Sequence, residues 1–251
     1  MGSKKLHLTT LLTILVMLLF WEVLSTLTFN KNIFPPPTRV FLAFLEMLKN
    51  GELINDVLIS MFRVVIGFTI SAVAGILCGI LTGSVLILRK TLGQIIELIR
   101  PIPAIAFLPL FILWFGIGEE SKILLIAYGS FFPIWVNTHV GVADVEKTYI
   151  WAAKSLGADK KSILLNVVIP YAIPFILTGL RISIGIAFIL LVVAEMAGAF
   201  SGLGFRISIS HLVFRVDKMF VGVIMLGVLG AASNKLFIKF SNKMVPWYET
   251  K

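Results

Sequence analysis

Residues 57–87 read VLISMFRVVIGFTISAVAGILCGILTGSVLI, and a single charge, Arg63, interrupts them. A helix needs roughly 20 mainly apolar residues to cross a hydrocarbon layer of about 30 Å. This run is longer than that minimum, so it can tilt or project beyond the layer. It also carries Gly67, Ser71, Gly75, Gly79 and Gly83 at four-residue intervals, which places them on one helix face. In lipid, burial of apolar surface drives no helix pairing, and a stripe of small residues lets a second backbone approach closely instead. The spacing predicts a tight helix contact, either inside the chain or across a dimer.

Working outward, further apolar runs lie at 8–28, 92–115, 122–142, 171–200 and 219–240, giving about six crossings in one all-α integral membrane domain over 1–251. Composition agrees: 58% of residues are apolar and 14% charged, with mean hydropathy +1.00. A soluble chain averages about 45 to 50% and about 25%. The first run continues through Leu27 without a small-residue cleavage pattern, so it reads as a span and not as a secretory signal. The single cysteine, Cys78, has no partner for an internal disulfide. A net charge of +9 in a soluble chain would suggest nucleic acid, but in a membrane chain the competing cause is the loading of Lys and Arg onto cytoplasmic loops. With the N-terminus inside and six alternating helices, the inner segments hold twelve basic and four acidic residues, Lys251 and Glu249 among them. The outer segments hold seven and six, Lys31 included. This asymmetry predicts both termini in the cytoplasm.

Phe34-Pro35-Pro36-Pro37-Thr38 reads as a stiff extended linker. The apolar spacing of Val40, Phe41, Phe44, Leu45 and Leu48 predicts a helix along the outer interface. In the third run, Pro101 and Pro103 each remove a helix donor and should kink or break the span beside Arg100. Broken spans survive in lipid only where protein or water shields the freed carbonyls, so this stretch is a candidate pathway element as well as a plain kink. Glu97 and Arg100 share a helix face and can neutralise each other. Among the remaining charges within runs, Glu22, Arg63, Arg181 and Glu195, the pair Arg63 and Glu195 should lie at similar depth and can meet.

The segment Ala143–Pro170 is the longest inner loop. Trp151-Ala152-Ala153-Lys154-Ser155-Leu156 favours a helix that stops at Gly157. A second helix begins near Asp159, uses Ile163, Leu164 and Val167, and is expected to end before Pro170. Two short helices at an angle form a knob that needs a socket in a partner; the blander alternative is an amphipathic hairpin that only anchors the bundle.

Ala152-Ala153, then Gly157, then Ile169-Pro170 resembles the loop motif of ABC-transporter importer permeases, although Trp151 stands where that motif has Glu. Arg100-Pro101-Ile102-Pro103, Trp114-Phe115-Gly116-Ile117-Gly118, Gly179-Leu180-Arg181-Ile182, Ala194-Glu195-Met196 and Gly202-Leu203-Gly204 are similar to the nitrate/sulfonate/taurine branch. The resemblance implies a type I ABC importer permease with a cytoplasmic coupling helix, in the inner membrane. It implies a homodimer with a second permease copy, two cytoplasmic ATP-binding subunits and an extracytoplasmic solute-binding protein, with no nucleic acid as partner. Trp151, Ala152, Ala153, Gly157, Ala158, Asp159 and Pro170 would form the coupling element; Arg100, Pro101, Pro103, Phe111 and Glu195 are candidates for the pathway or its gate. Relatives of this kind handle sulfonates, nitrate, bicarbonate and pyrimidine or flavin-like vitamins. The chain has no G-x-x-x-x-G-K-[ST] phosphate loop and no H-E-x-x-H metal motif, so no cofactor and no catalytic residue is expected in it, and ATP with Mg would bind the partner ATPase. An ion-gradient-driven secondary transporter is the alternative, with Glu97 or Glu195 cycling its charge.

Overall fold

A computed structural model describes residues 2–27, 30 and 32–245, with side chains from Leu12 onward. Lys31, Glu249 and Lys251, counted in the charge sorting above, lie outside the described residues. Ten helices follow in order: α1 (Gly2–Leu27), α2 (Pro37–Lys49), α3 (Glu52–Ser84), α4 (Leu86–Ile99), α5 (Ala104–Phe115), α6 (Glu119–Ala143), α7 (Lys147–Ser155), α8 (Lys160–Gly198), α9 (Leu203–Leu212) and α10 (Val216–Met244), all among the described residues. Four of these, α3, α6, α8 and α10, are long and apolar enough to cross a membrane. Helices α4 and α5 make a fifth if taken as one span, bent by 85° at the Arg100–Pro103 break. The described apolar part of α1, Leu12–Leu27, is shorter than a span.

Burial is inverted relative to a water-soluble chain. Ser60, Arg63, Thr82, Thr138, Ser183 and Glu195 are buried, whereas Met17, Phe20, Leu77, Leu98 and Leu113 lie open. Exposed apolar surface on this scale needs a lipid solvent, and polar side chains then pair inside the helix bundle.

The helices group into two compact units. In the first, the described residues up to Ile59 pack with Phe200–Gly227. Pro37 opens α2 at a position where its missing N–H costs nothing. Glu22 of α1 accepts from the Thr38 N–H at 3.2 Å and from the Thr38 hydroxyl at 2.9 Å. A carboxylate there offsets the unpaired donors at the start of α2, which accounts for a charge inside the first apolar run. Trp21 and Phe34 both pack on Phe220, with centroids 5.5 and 6.0 Å away.

A continuous chain of charges joins the ends of α2, α3, α9 and α10 in this unit. Asp56 accepts from the Gly202 N–H (2.9 Å) and from Arg206 (2.7 Å), Arg206 reaches Glu52 (3.2 Å), and Lys218 bridges Glu52 (3.5 Å) and Glu46 (2.9 Å). Arg215 then holds Glu46 (2.8 Å) and Asp217 (3.0 Å). The Arg215 and Lys218 hydrogen bonds pull the Glu46 carboxyl from 4.5 down to about 2. A depressed folded-state value means the stabilisation is complete above pH 4.5 and is lost as pH falls toward 2. Glu46 is 43% exposed, so the contribution is small, under about 1 kcal/mol, and salt reduces it further. Thermal unfolding in detergent across this pH window should fall less steeply for Glu46→Gln than for the native chain; identical slopes would show that the pair contributes nothing.

In the second unit, Ser60–Ala199 packs with the described residues from Val228 to Val245. The small-residue stripe of α3 lies against α6. A side chain at Gly67 would meet Ile126, at Gly75 Ile134, at Gly79 Thr138 and at Gly83 Val142, each partner 59 residues further along (67 to 126, 75 to 134, 79 to 138, 83 to 142). A constant offset means that the two helices run parallel and repeat the same close contact every four residues. The contact foreseen from the stripe is therefore internal. Thr82 knots the seam, accepting from Trp135 Nε1 (3.1 Å), lying 2.9 Å from His139 Nδ1 and donating to the Cys78 carbonyl (2.8 Å). Helix α8 closes on the other side of α6: Gly179 lies over the Pro133 carbonyl, Gly141 over Phe175, and the Ser183 hydroxyl donates to the Ser130 carbonyl at 2.7 Å.

The second loop helix does not end before Pro170. It begins after Asp159 and continues to Gly198 as one helix, widening into a π turn over Leu164–Val168 directly before the proline. Proline lacks an N–H and its ring crowds the carbonyl four residues back; one wider turn relieves both without stopping the helix.

Candidate functional site

Three constellations in the second unit contain the residues singled out in the sequence. The first is the α7–α8 turn. Gly157 has φ +81°, a left-handed conformation that side-chain-bearing residues rarely adopt. Its N–H donates to the Lys154 carbonyl (2.9 Å) and the next N–H, of Ala158, reaches back to the Ala153 carbonyl (3.0 Å). These two bonds define a Schellman C-cap, which is why a glycine ends α7 here. Ala153 and Ala158 face inward against a cluster of Val142, Val145, Ile163, Val168 and Ala172, so the turn is fastened to α6 and α8. Asp159 caps α8 by accepting from the Ser162 N–H at 3.1 Å, and this bonding with Ser162 lowers its carboxyl below the ordinary value. Trp151, Ala152 and Leu156 point away from the cluster; Trp151 is 62% and Leu156 88% exposed. Pro170 sits ten residues past the start of α8, two residues after the π turn.

The second constellation is the α4–α5 break. Arg100, Pro101 and Pro103 surround a cavity of about 500 Å³, closed on its other side by Gly129, Asn137 and Leu190. Arg100 meets Glu97 at 3.2 Å, with both side chains about half exposed. Phe111 lines a different, apolar cavity with Ile70, Ile96 and Tyr128. The structure thus brings Arg100, Pro101 and Pro103 together and leaves Phe111 and Glu195 apart from them.

Glu195 belongs to the third. Its carboxylate accepts from Arg63 at 2.7 Å and from the Ser60 hydroxyl at 2.8 Å, with Arg63 1% and Glu195 0% exposed. The rest of the Arg63 fork is taken by Glu119, through two bonds of 2.6 Å. The pairing of Arg63 with Glu195 was legible from charge and depth, but the role of Glu119, 56 residues away at the start of α6, left no local signal. Lys122, one turn on, donates to the Ile117 and Gly118 carbonyls at 2.7 Å each, fixing the turn that enters α6. Among the described residues, no group of three His, Cys, Asp or Glu side chains is arranged to hold a metal ion.

Several apolar crossings, a span broken at paired prolines, and a capped helical turn fastened beneath two spans with its apolar side chains uncovered define a multi-pass membrane permease. The family described as "binding-protein-dependent transport system inner membrane component" matches residues 71–244, and the chain belongs to it. It is therefore the non-catalytic permease subunit of an ABC-type importer. The chain is 36% identical over 92% of its length, and 84% of the relative's, to the protein designated aliphatic sulfonates transport permease SsuC of Bacillus subtilis (strain 168). It is 34% identical to the taurine transport system permease protein TauC of Escherichia coli (strain K12), over 94% of this chain and 88% of that one. Among solved structures, an amino acid ABC transporter with histidines aligns with TM-score 0.64 and 21% identity, covering 80% of this chain and 98% of that chain, which establishes the shared fold.

Proposed function

We propose that this chain forms, as a homodimer, the translocation pathway for a small sulfonate-like or nitrate-like nutrient anion, received from an extracytoplasmic solute-binding protein and driven by two cytoplasmic ATPase subunits. All 251 residues act as one permease domain with six crossings, α1 being the first, and with both termini in the cytoplasm. The observation that carries the reading is the α7 turn: Trp151 and Leu156 stand uncovered on a knob whose inner side is packed onto α6 and α8. Force on such a knob moves the spans as a rigid body, and a hydrophobic groove in an ATPase is its complement. Ala152 leaves room for close approach, Ala153 and Ala158 anchor the knob, Asp159 and Pro170 set the start and course of α8, and Gly157 fixes the angle between them. The names of the relatives support the substrate class, and the cavity at Arg100, Pro101 and Pro103 is the reading's place for the gate.

Gly157→Val is the test. There is open space around the glycine, so the penalty falls on the backbone: a β-branched residue forced to positive φ costs roughly 1–2 kcal/mol and would swing the turn out of line. The variant is expected to insert and dimerise normally, yet to lose ATP hydrolysis stimulated by the solute-binding protein when reconstituted with its ATPase. Retained stimulation would remove the coupling assignment.

A further inference from the structure

Six of the seven arginines hold a protein partner among the described residues: Arg39 reaches Asn32, Arg63 its two glutamates, Arg89 the Gly83 carbonyl, Arg100 Glu97, Arg206 Asp56 and Arg215 Glu46. Arg181 takes part in no hydrogen bond or ion pair among the described residues, although it lies well inside α8, a span. A charged side chain within an apolar run is by default a candidate for a functional role. Among the described residues, no carboxylate lines its cavity. Along α8 the next acid is Glu195, about 21 Å of helix away and already engaged by Arg63; α10 carries Asp217 at its opposite end.

The surroundings of Arg181 favour an oxyanion. It lines a cavity of about 350 Å³ between α8 and α10, with Thr178, Asn234 and Ser241 as the other polar side chains and Leu177 and Phe237 as apolar walls. The Asn234 amide and the Ser241 hydroxyl make no hydrogen bond among the described residues, so the cavity offers donors in excess of acceptors. A guanidinium fork with amide and hydroxyl donors matches three or four oxygens on one centre, and the positive charge excludes cations. Lys235, Lys239 and Lys243 follow at four-residue spacing along the same part of α10, all exposed, and raise the local potential for anions.

We infer that Arg181, Asn234 and Ser241 form an oxyanion-binding site between α8 and α10, taking the sulfonate head of a transported solute or the phosphate of an anionic lipid. The site goes beyond the permease reading and does not depend on coupling to an ATPase, so it is tested by binding to the purified full-length chain, and its failure is separable from that of the Gly157 experiment. In nanodiscs of neutral phosphatidylcholine, ethanesulfonate should bind saturably by calorimetry. Binding should weaken at least roughly tenfold in Arg181→Gln, the loss expected for one charge-assisted fork, and less in Arg181→Lys. Asn234→Leu keeps the charge and should weaken binding several-fold, which guards against misfolding of the Arg181 variants. If the source is lipid, ethanesulfonate will not bind, and native mass spectrometry will show phosphatidylglycerol carried through purification by the native chain and lost from Arg181→Gln. Equal retention of both probes by native chain and Arg181→Gln would overturn the site, as would failure of both to bind, the result expected if a carboxylate of a second copy fills the cavity.

Discussion

Arg63→Leu should destabilise the chain by about 3–5 kcal/mol, the cost of stranding a buried charge whose partner has been removed. The charge left behind is Glu195, which is 0% exposed and whose Ser60 contact is a neutral donor. Glu195→Leu should cost less, about 1–3 kcal/mol, because Arg63 keeps both bonds to Glu119, and Glu119 is 48% exposed and already in contact with solvent. The order of the two single variants thus follows from the two bonds to Glu119 that Arg63 keeps when Glu195 is removed. In the double variant neither charge is stranded, so the combined loss should fall short of the sum of the singles by about 0.5–3 kcal/mol. Unfolding of detergent-solubilised protein by a denaturing detergent reads all four states of this cycle. Additive losses, or a Glu195 variant worse than the Arg63 variant, would show that the ion pair is not the element joining α3 to α8.

The bundle was legible where the physics is local. A run of apolar residues announces a span whatever it packs against, and Pro101 and Pro103 break their helix because of what proline lacks, so the 85° bend needed no knowledge of neighbours. Gly157 announces its own turn for the same reason. The failures share a different cause. Proline was read as a stop at Pro170, but a π turn costs less than ending a helix inside a packed cluster, and that cluster is assembled from residues 142 to 172 by tertiary contact. Glu119 and Thr82 act through partners more than fifty residues away, and only the register between helices brings them together. The charge of Arg181 was visible, but that no described residue pairs with it is a property of the assembled second unit. The residues of the α7–α8 turn were readable because their chemistry is that of a turn; the lining of cavities was not, because it depends on which faces of several helices coincide.

That register rests on the glycine seam, and Gly79 is its tightest point. An added Cβ would lie 2.5 Å from the Thr138 Cβ, and Thr138 is 0% exposed and β-branched, so it cannot rotate clear without striking other packed atoms. Gly79→Ala should therefore cost about 1–3 kcal/mol by overpacking, even though alanine is the better helix former by about 1 kcal/mol. Gly79→Leu cannot be absorbed by a shift of a few tenths of an ångström and should prevent the folded chain from accumulating. Gly185 supplies the comparison: it also lies within a spanning helix, but an added Cβ meets nothing within 4 Å, so Gly185→Ala should unfold at or above the native midpoint. Because α3 and α6 advance together in steps of four, Gly75→Ala and Gly83→Ala should follow Gly79→Ala in direction, with a smaller effect at Gly75, where the nearest atom is 2.9 Å away. A Gly79→Ala variant as stable as Gly185→Ala would mean that the two backbones do not approach as described. Thr82 and its bonds to Trp135 and His139 would then lose their geometric basis as well.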